Sequence, residues 1–245
     1  MAWLLGCNAG RAGILELTWQ PMCLSRAKTM YQPAHFNESR PEVLQALLRA
    51  HPFGILVTQD GNGEISANGV PFVLDADPAG GAGILRAHVA RANPLWQAAR
   101  ADRDSLVVFQ GPQAYISPSW YPAKAEHGKV VPTWNYVMVQ ARGRLRAIED
   151  PAWLHAFVTR LTERHEQPRA APWAVSDAPA DYVATMLKAI VGLELVVTSL
   201  AGKWKVSQNR SAADRDGVAR SLADEVGGDE ARALGHQVAS PGATG

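Results

Sequence analysis

Two hydrophobic rhythms run along the chain. Residues 43–48 place Val43, Leu44, Leu47 and Leu48 at helical spacing. Ser39, Arg40, Pro41 and Glu42 precede them in the style of a capping box with proline in the first turn. A helix is predicted there. Residues 53–58 form a short, partly β-branched apolar run ending at Asp60-Gly61-Asn62-Gly63, and residues 64–74 resume in extended style, so a hairpin is expected. Residues 83–89 and 105–110 read as further strands, with a helix from Asn93-Pro94 to about residue 101 between them. Residues 129–148 contain two β-rich pieces around Gly143, and Pro132 belongs at a strand beginning or an edge. Asp150-Pro151 opens an amphipathic helix carrying Trp153, Leu154, Phe157, Val158 and Leu161. A second helix is expected over residues 180–191 and a strand over 192–200. From Ser211 the pattern is helical, with Val218, Leu222 and Val226 four apart, and it frays into a Gly/Ala/Ser/Pro-rich tail from Ala239.

Short strands dominate the first two thirds without the strand-helix alternation of a doubly wound sheet. The expected class is α+β, an antiparallel β-barrel with peripheral helices. Residues 1–29 follow neither rhythm and lack the layout of a secretory signal, so they are expected to be an extension outside the fold, with Met30 as the native start. Residues 30–226 then form the domain and 227–245 a helical or mobile tail. The two cysteines, Cys7 and Cys23, both fall in the extension, so no disulfide framework is expected in the body.

Composition narrows the function. With 47% hydrophobic residues in 245, the chain can bury a substantial core. Lys and Arg number 24 against 23 Asp and Glu, which leaves a formal charge of +1 and no broad basic field for nucleic acid. A cytoplasmic protein without membrane association is expected. There is no phosphate loop, no G-x-G-x-x-G after a strand, no H-E-x-x-H and no G-x-S-x-G. The seven histidines lack ligand spacing, so no metal site is expected.

Three polar clusters at strand ends carry candidate chemistry. In the first, His88 and Arg91 stand ahead of a helix start at Asn93-Pro94; two cations beside free backbone N–H groups suit a phosphate, and equally a solvated strand end. The second joins Tyr115, Ser117, Ser119, Trp120 and Tyr121 to Thr133, Trp134, Asn135 and Tyr136. Rings beside hydroxyls and an amide fit a flat heteroaromatic ligand, and they fit core or interface aromatics as well. The third, Lys203 to Arg210, is the most basic short stretch of the body, placed to meet a phosphate, a flavin edge, nucleic acid or only solvent.

At these residues the sequence resembles the PaiB-type family of FMN-binding negative transcriptional regulators. The matching segments are Met30-Tyr31-Gln32-Pro33-Ala34-His35-Phe36, His88-x-x-Arg91-x-Asn93-Pro94, Tyr115-Ile116-Ser117-Pro118-Ser119-Trp120-Tyr121, Val131-Pro132-Thr133-Trp134-Asn135-Tyr136 and Lys205-Val206-Ser207-Gln208-Asn209-Arg210. The resemblance covers about residues 30–226. It implies a split β-barrel of the pyridoxamine-phosphate-oxidase type, a homodimer with flavin sites at the subunit interface, and FMN as cofactor. It carries over His88, Arg91 and Asn93 to the flavin phosphate, with His88 where relatives have lysine. Ser117, Thr133, Trp134 and Asn135 go to the isoalloxazine and ribityl side. Lys205, Gln208 and Asn209 approach from another loop or from the partner subunit.

The function so implied is negative regulation of transcription, with DNA contacted directly or indirectly. No helix-turn-helix or zinc finger is apparent, and the region after Ser211 sets Arg215, Arg220 and Arg232 among Asp214, Asp216, Asp224, Glu225, Asp229 and Glu230. The alternative is a flavin-dependent oxidoreductase, although no general base stands out; His127 is a distant candidate. A haem-binding relative is a third reading, with no axial histidine singled out.

Overall fold

The computed structural model describes residues 30–100 and 103–241, and the expectations for residues 1–29 lie outside the described residues. Eight strands form one antiparallel sheet: β1 (Asn37–Glu38), β2 (Phe53–Gln59), β3 (Ile65–Pro71), β4 (Val73–Asp75), β5 (Ile84–Ala90), β6 (Asp104–Ile116), β7 (Thr133–Ile148) and β8 (Ile190–Lys205). Their order is β3-β2-β6-β7-β8-β5-β4, and β1 pairs with the far end of β8. The terminal strands β3 and β4 are not paired to each other, so the barrel is split, as expected.

The strands alternate because one face is buried. Leu56, Val107, Phe109, Val137, Val139, Leu193 and Leu195 point inward and are buried. Each such side chain contributes about 1.5–3 kcal/mol. Helix α1 (Pro41–Ala50) plugs this core with Leu44, Leu47 and Leu48. Its N-cap is Arg40 rather than Ser39, and no side-chain cap forms. Glu38 instead binds Arg40 through both its backbone N–H and its guanidinium. After the short α2 (Ala123–His127), α3 (Pro151–Glu166) and α4 (Ala180–Lys188) interrupt the path from β7 to β8. Asp150 caps α3 by accepting from the Ala152 N–H. Helix α5 (Ala212–Ser221), a π-helical turn (Leu222–Val226) and α6 (Gly228–Ala239) close the chain, burying Val218, Leu222, Leu234 and Val238.

Two strands, β6 and β8, outrun the expected bounds, and β7 is continuous where two pieces were expected. Gly111-Pro112 looks like a break, yet β6 passes through it with a register shift between Gln110 and Gln113. Strand β7 starts only at Thr133 and is irregular at Arg142/Gly143 rather than cut in two. Strand β8 runs to Lys205 because Gly202 is needed for contact: a Cβ there would collide with Leu44 and Trp204. The segment after Asn93 is a 3-10 helix, Pro94–Arg100, rather than an α-helix.

An ion network ties four strands and a helix together. Glu194 on β8, with a side chain only 5% exposed, accepts from Arg86 of β5 and Arg146 of β7. Arg86 also bonds Asp75 of β4, and Arg160 of α3 bonds the same carboxylate at 2.8 Å.

Candidate functional site

The first predicted cluster sits where β5 ends. Arg91 spends its guanidinium locally: Nε donates to the Lys188 carbonyl at 2.8 Å, Nη2 to the Ile190 carbonyl at 3.2 Å, and Nη1 to Glu149. Asn93 caps the 3-10 helix by accepting from the Leu95 N–H at 3.0 Å, and its amide donates to Asn68 of β3 at 3.3 Å. His88 shares a strand face with Arg86 and lies edge-on to Phe157 of α3, with centroids 5.9 Å apart. Its Nδ1 is buried without a partner. Arg91 and Asn93 therefore frame the strand end, while the His88 ring is turned beneath α3.

Burial holds the His88 pKa below the ordinary imidazole value. A base whose folded pKa is depressed contributes stability that is complete above the unfolded value, about 6.5, and is lost as pH falls through the folded one. We expect thermal stability to begin declining below about pH 6.5, and His88→Leu to flatten that limb in a melting series.

The second and third clusters meet at the other end of the sheet, because Tyr136 on β7 pairs with Lys205 on β8. The Lys205 ammonium donates to Thr133 Oγ1 and to the Trp134 carbonyl. Burial, then the neighbouring Lys203 charge, pushes its pKa down. Asn135 points inward, 1% exposed, and its amide donates to Ser207 Oγ at 2.8 Å. Trp134 and Tyr115 stay half exposed on the outward face with their rings edge-to-face at 6.3 Å, and Trp134 Nε1 donates to Gln113. Gln208 braces the turn after β8, accepting from the Val206 N–H at 2.8 Å and donating to the Trp204 carbonyl. Asn209 is exposed beside it. Ser117 caps a 3-10 turn (Pro118–Trp120) by accepting from Ser119 N–H. It also lines a cleft of about 640 Å³ with Tyr115, Trp120, Arg220 and Asp224.

Thr133, Trp134, Asn135, Lys205 and Gln208 thus come together around one strand end. His88, Arg91 and Asn93 do not join them. His88 is paired with Gly192, so the two groups lie at opposite ends of β8, thirteen residues apart. Such a stretch has a contour of about 40 Å.

The sequence placed Lys203 and Ser207 in the third cluster but gave neither a role, and the residue type at Ser207 gave no sign of its backbone conformation. Ser207 is the one non-glycine among the described residues with positive φ, +61°, and is buried. Nothing in its residue type signals that; only its place in a polar loop after an apolar strand does. A left-handed serine is unfavourable by about 1 kcal/mol or more, and here the Asn135 bond holds it. We expect Asn135→Ala to release this turn, lowering stability by about 1–3 kcal/mol in urea denaturation, because Ser207 Oγ loses its buried donor.

Among the described residues no helix is long and apolar enough to cross a membrane, and no group of three metal-ligating side chains occurs. Residues 30–199 match the family described as "Putative FMN-binding domain". The chain belongs to this family. As a member of the FMN-binding family it has FMN as its cofactor. It is 32% identical to Protease synthase and sporulation protein PAI 2 of Bacillus subtilis, over 80% of this chain and 90% of that one. It is 35% identical to protein AN0679 of Emericella nidulans, over 87% and 98% of the two chains. Two solved structures share the fold: conserved hypothetical protein Rv2991 of Mycobacterium tuberculosis (TM-score 0.51, 15% identity, 74% of this chain and 93% of that), and the FAD and heme binding protein of Mycobacterium smegmatis (TM-score 0.51, 16%, 69% and 73%).

The side chains at the β7–β8 end fit a flavin by their donor set: half-exposed rings for stacking, an ammonium and hydroxyls for its carbonyls and anionic groups. There FMN would supply electron chemistry, and Thr133, Trp134, Lys205 and Tyr115 are the groups that would hold and orient it.

Proposed function

We propose that this protein is an FMN-binding homodimer that lowers transcription of its target genes, with each flavin held between two protomers. The observation that carries the composite site is the separation of the two residue groups. Arg91, Asn93 and the strand end that carries His88 serve the phosphate. Ser117, Thr133, Trp134, Asn135, Lys205, Gln208 and Asn209 serve the ring and ribityl side. One protomer holds these groups at opposite ends of β8, so a single flavin reaches both only if the second group comes from the partner.

The outward face of the sheet supports the dimer. Phe53, Ile55 and Ile65 are 64%, 42% and 69% exposed. Ile55 pairs with Val108, which pairs with Gln140, in one row across β2, β6 and β7. Gln140 Oε1 and Arg142 Nε on the same face are buried without a partner in the single chain. An apolar strip bordered by unsatisfied polar atoms is the kind of surface a second copy covers. The regulatory reading carries over from the resemblance to the PaiB-type family, and the chain is similar to Protease synthase and sporulation protein PAI 2 of Bacillus subtilis.

FMN titration followed by flavin fluorescence, with sedimentation of the same samples, tests the first part. One flavin per chain in a two-chain particle is expected, and Ile55→Asp is expected to give monomers that bind FMN at least tenfold more weakly. A monomer with undiminished affinity overturns the composite site. For regulation, transcript levels in cells lacking the gene are compared with cells carrying wild type or Ile55→Asp. Target transcripts are expected to rise in the first and third. Unchanged transcripts beside flavin-dependent NAD(P)H oxidation by the pure protein would make it an oxidoreductase instead.

A further inference from the structure

The opening segment Met30-Tyr31-Gln32-Pro33 and Lys203 of the third cluster were given no role from sequence. The structure joins them. Gln32 donates its amide to the Gly202 carbonyl, and the Tyr31 carbonyl accepts from Lys203 Nζ at 2.9 Å. The Lys203 ammonium lies over two rings, 5.2 Å from the Tyr31 centroid and 5.5 Å from that of Tyr136. Lys203 is only 7% exposed, whereas Tyr31 is 83% exposed. The N-terminal strap therefore clamps a lysine in place while offering its own ring to the outside.

Two positions along the same strand face stands Lys205, the ammonium that reaches Thr133 and the Trp134 carbonyl. Among the described residues neither lysine has a carboxylate in ion-pair contact. Glu38, across β1, is occupied by Arg40. A buried ammonium, Lys203, beside a part-buried one, Lys205, without a counter-ion is costly, and ring faces and carbonyls compensate only part of that cost. The missing partner is an anion, and the surrounding half-exposed Trp134 and Tyr115 make it one carried on a flat ligand.

We propose that Lys203 and Lys205, held by the Tyr31-Gln32 strap, form an anion-binding subsite for the negatively charged part of a flavin. This rests on the FMN reading above and adds Lys203 as a binding residue and Tyr31 as a positioning residue. The anionic part has two sources, the phosphate or the ring's pyrimidine edge, which gains negative charge on reduction.

The test uses the full chain with Lys203→Met, Lys205→Met, Lys203→Arg and Tyr31→Ala, each titrated with FMN and with riboflavin at two salt concentrations. Expected are at least tenfold weaker FMN binding in both methionine variants, near wild-type binding in Lys203→Arg, and a reduced salt dependence wherever a charge is lost. Equal losses for riboflavin assign the lysines to the ring; losses for FMN alone assign them to the phosphate and overturn its assignment to Arg91 and Asn93. Tyr31→Ala is expected to reproduce part of the Lys203→Met loss. Methionine variants that melt cooperatively and bind both flavins as wild type does overturn the subsite. If wild type binds no flavin, the FMN reading fails by itself, and inorganic phosphate becomes the probe. Lysine-dependent broadening of its ³¹P resonance then still supports the subsite, and broadening unaffected by the substitutions, or none, overturns it.

Discussion

Gly143→Ala is expected to lower the melting temperature by about 6–12 °C, the equivalent of about 3 kcal/mol in a domain of this size. The irregularity in β7 brings Gly143 against its neighbour strand so closely that a Cβ would fall within contact distance of the Val196 carbonyl oxygen and crowd the Leu195 side chain at 2.8 Å. A flexible side chain yields cheaply, but a ladder carbonyl does not. The β7–β8 pairing would have to part at its register shift, in the ladder with the most registered pairs in the sheet, thirteen. Thermal unfolding followed by far-UV circular dichroism checks this. Gly61→Ala serves as the control, since nothing lies within 4 Å of a Cβ there.

The second large effect belongs to Glu194. Glu194→Gln is expected to cost about 3 kcal/mol at neutral pH, since it removes the anion that compensates Arg86 and Arg146 in a nearly buried place. The loss should itself depend on pH. Burial raises the Glu194 pKa, but bonds from Arg86 and Arg146 outweigh it and hold the group below the usual carboxylate value. A depressed carboxylate contributes stability fully above its unfolded pKa, about 4.3, and loses it as pH falls through the folded value. The difference between wild type and variant should therefore be widest at pH 7 and shrink below about pH 4. Urea titrations at several pH values measure it, and a constant difference would show that the network does not depend on this charge.

Much of the barrel was legible because its strands carry the period-two signal of a one-sided core. The missed stretches share one physical cause. Gly111, Gly143 and Gly202 read as breaks, whereas each is a place where another group approaches the strand too closely for a Cβ: Leu47, the Val196 carbonyl and Leu44 respectively. Periodicity describes a strand's own faces and is silent about what lies against them. Ser39 failed as a cap for a similar reason, since Glu38 and Arg40 form a closer local pair.

The candidate site divided in the same way. Thr133, Asn135, Lys205 and Gln208 could be grouped from sequence because paired strand ends bring their loops together. His88 could not be placed, because its surroundings are set by Phe157, sixty-nine residues later and on a helix. Glu194 left a faint trace, a lone acid inside the apolar run Leu193 to Leu200. Ser207 left only its place in a polar loop, since backbone sign is not written in a serine.

Strand β8 has one more consequence, in the order of synthesis. It supplies partners to β1, β5 and β7, and β1 lies about 165 positions upstream of its partner residues. While the ribosome is still extending the chain, those earlier strands wait with open edges, so closure is a late event dominated by distant pairings. A chain ending before Ile190 would lack the strand that pairs β1, β5 and β7, and would leave one edge of each unpaired.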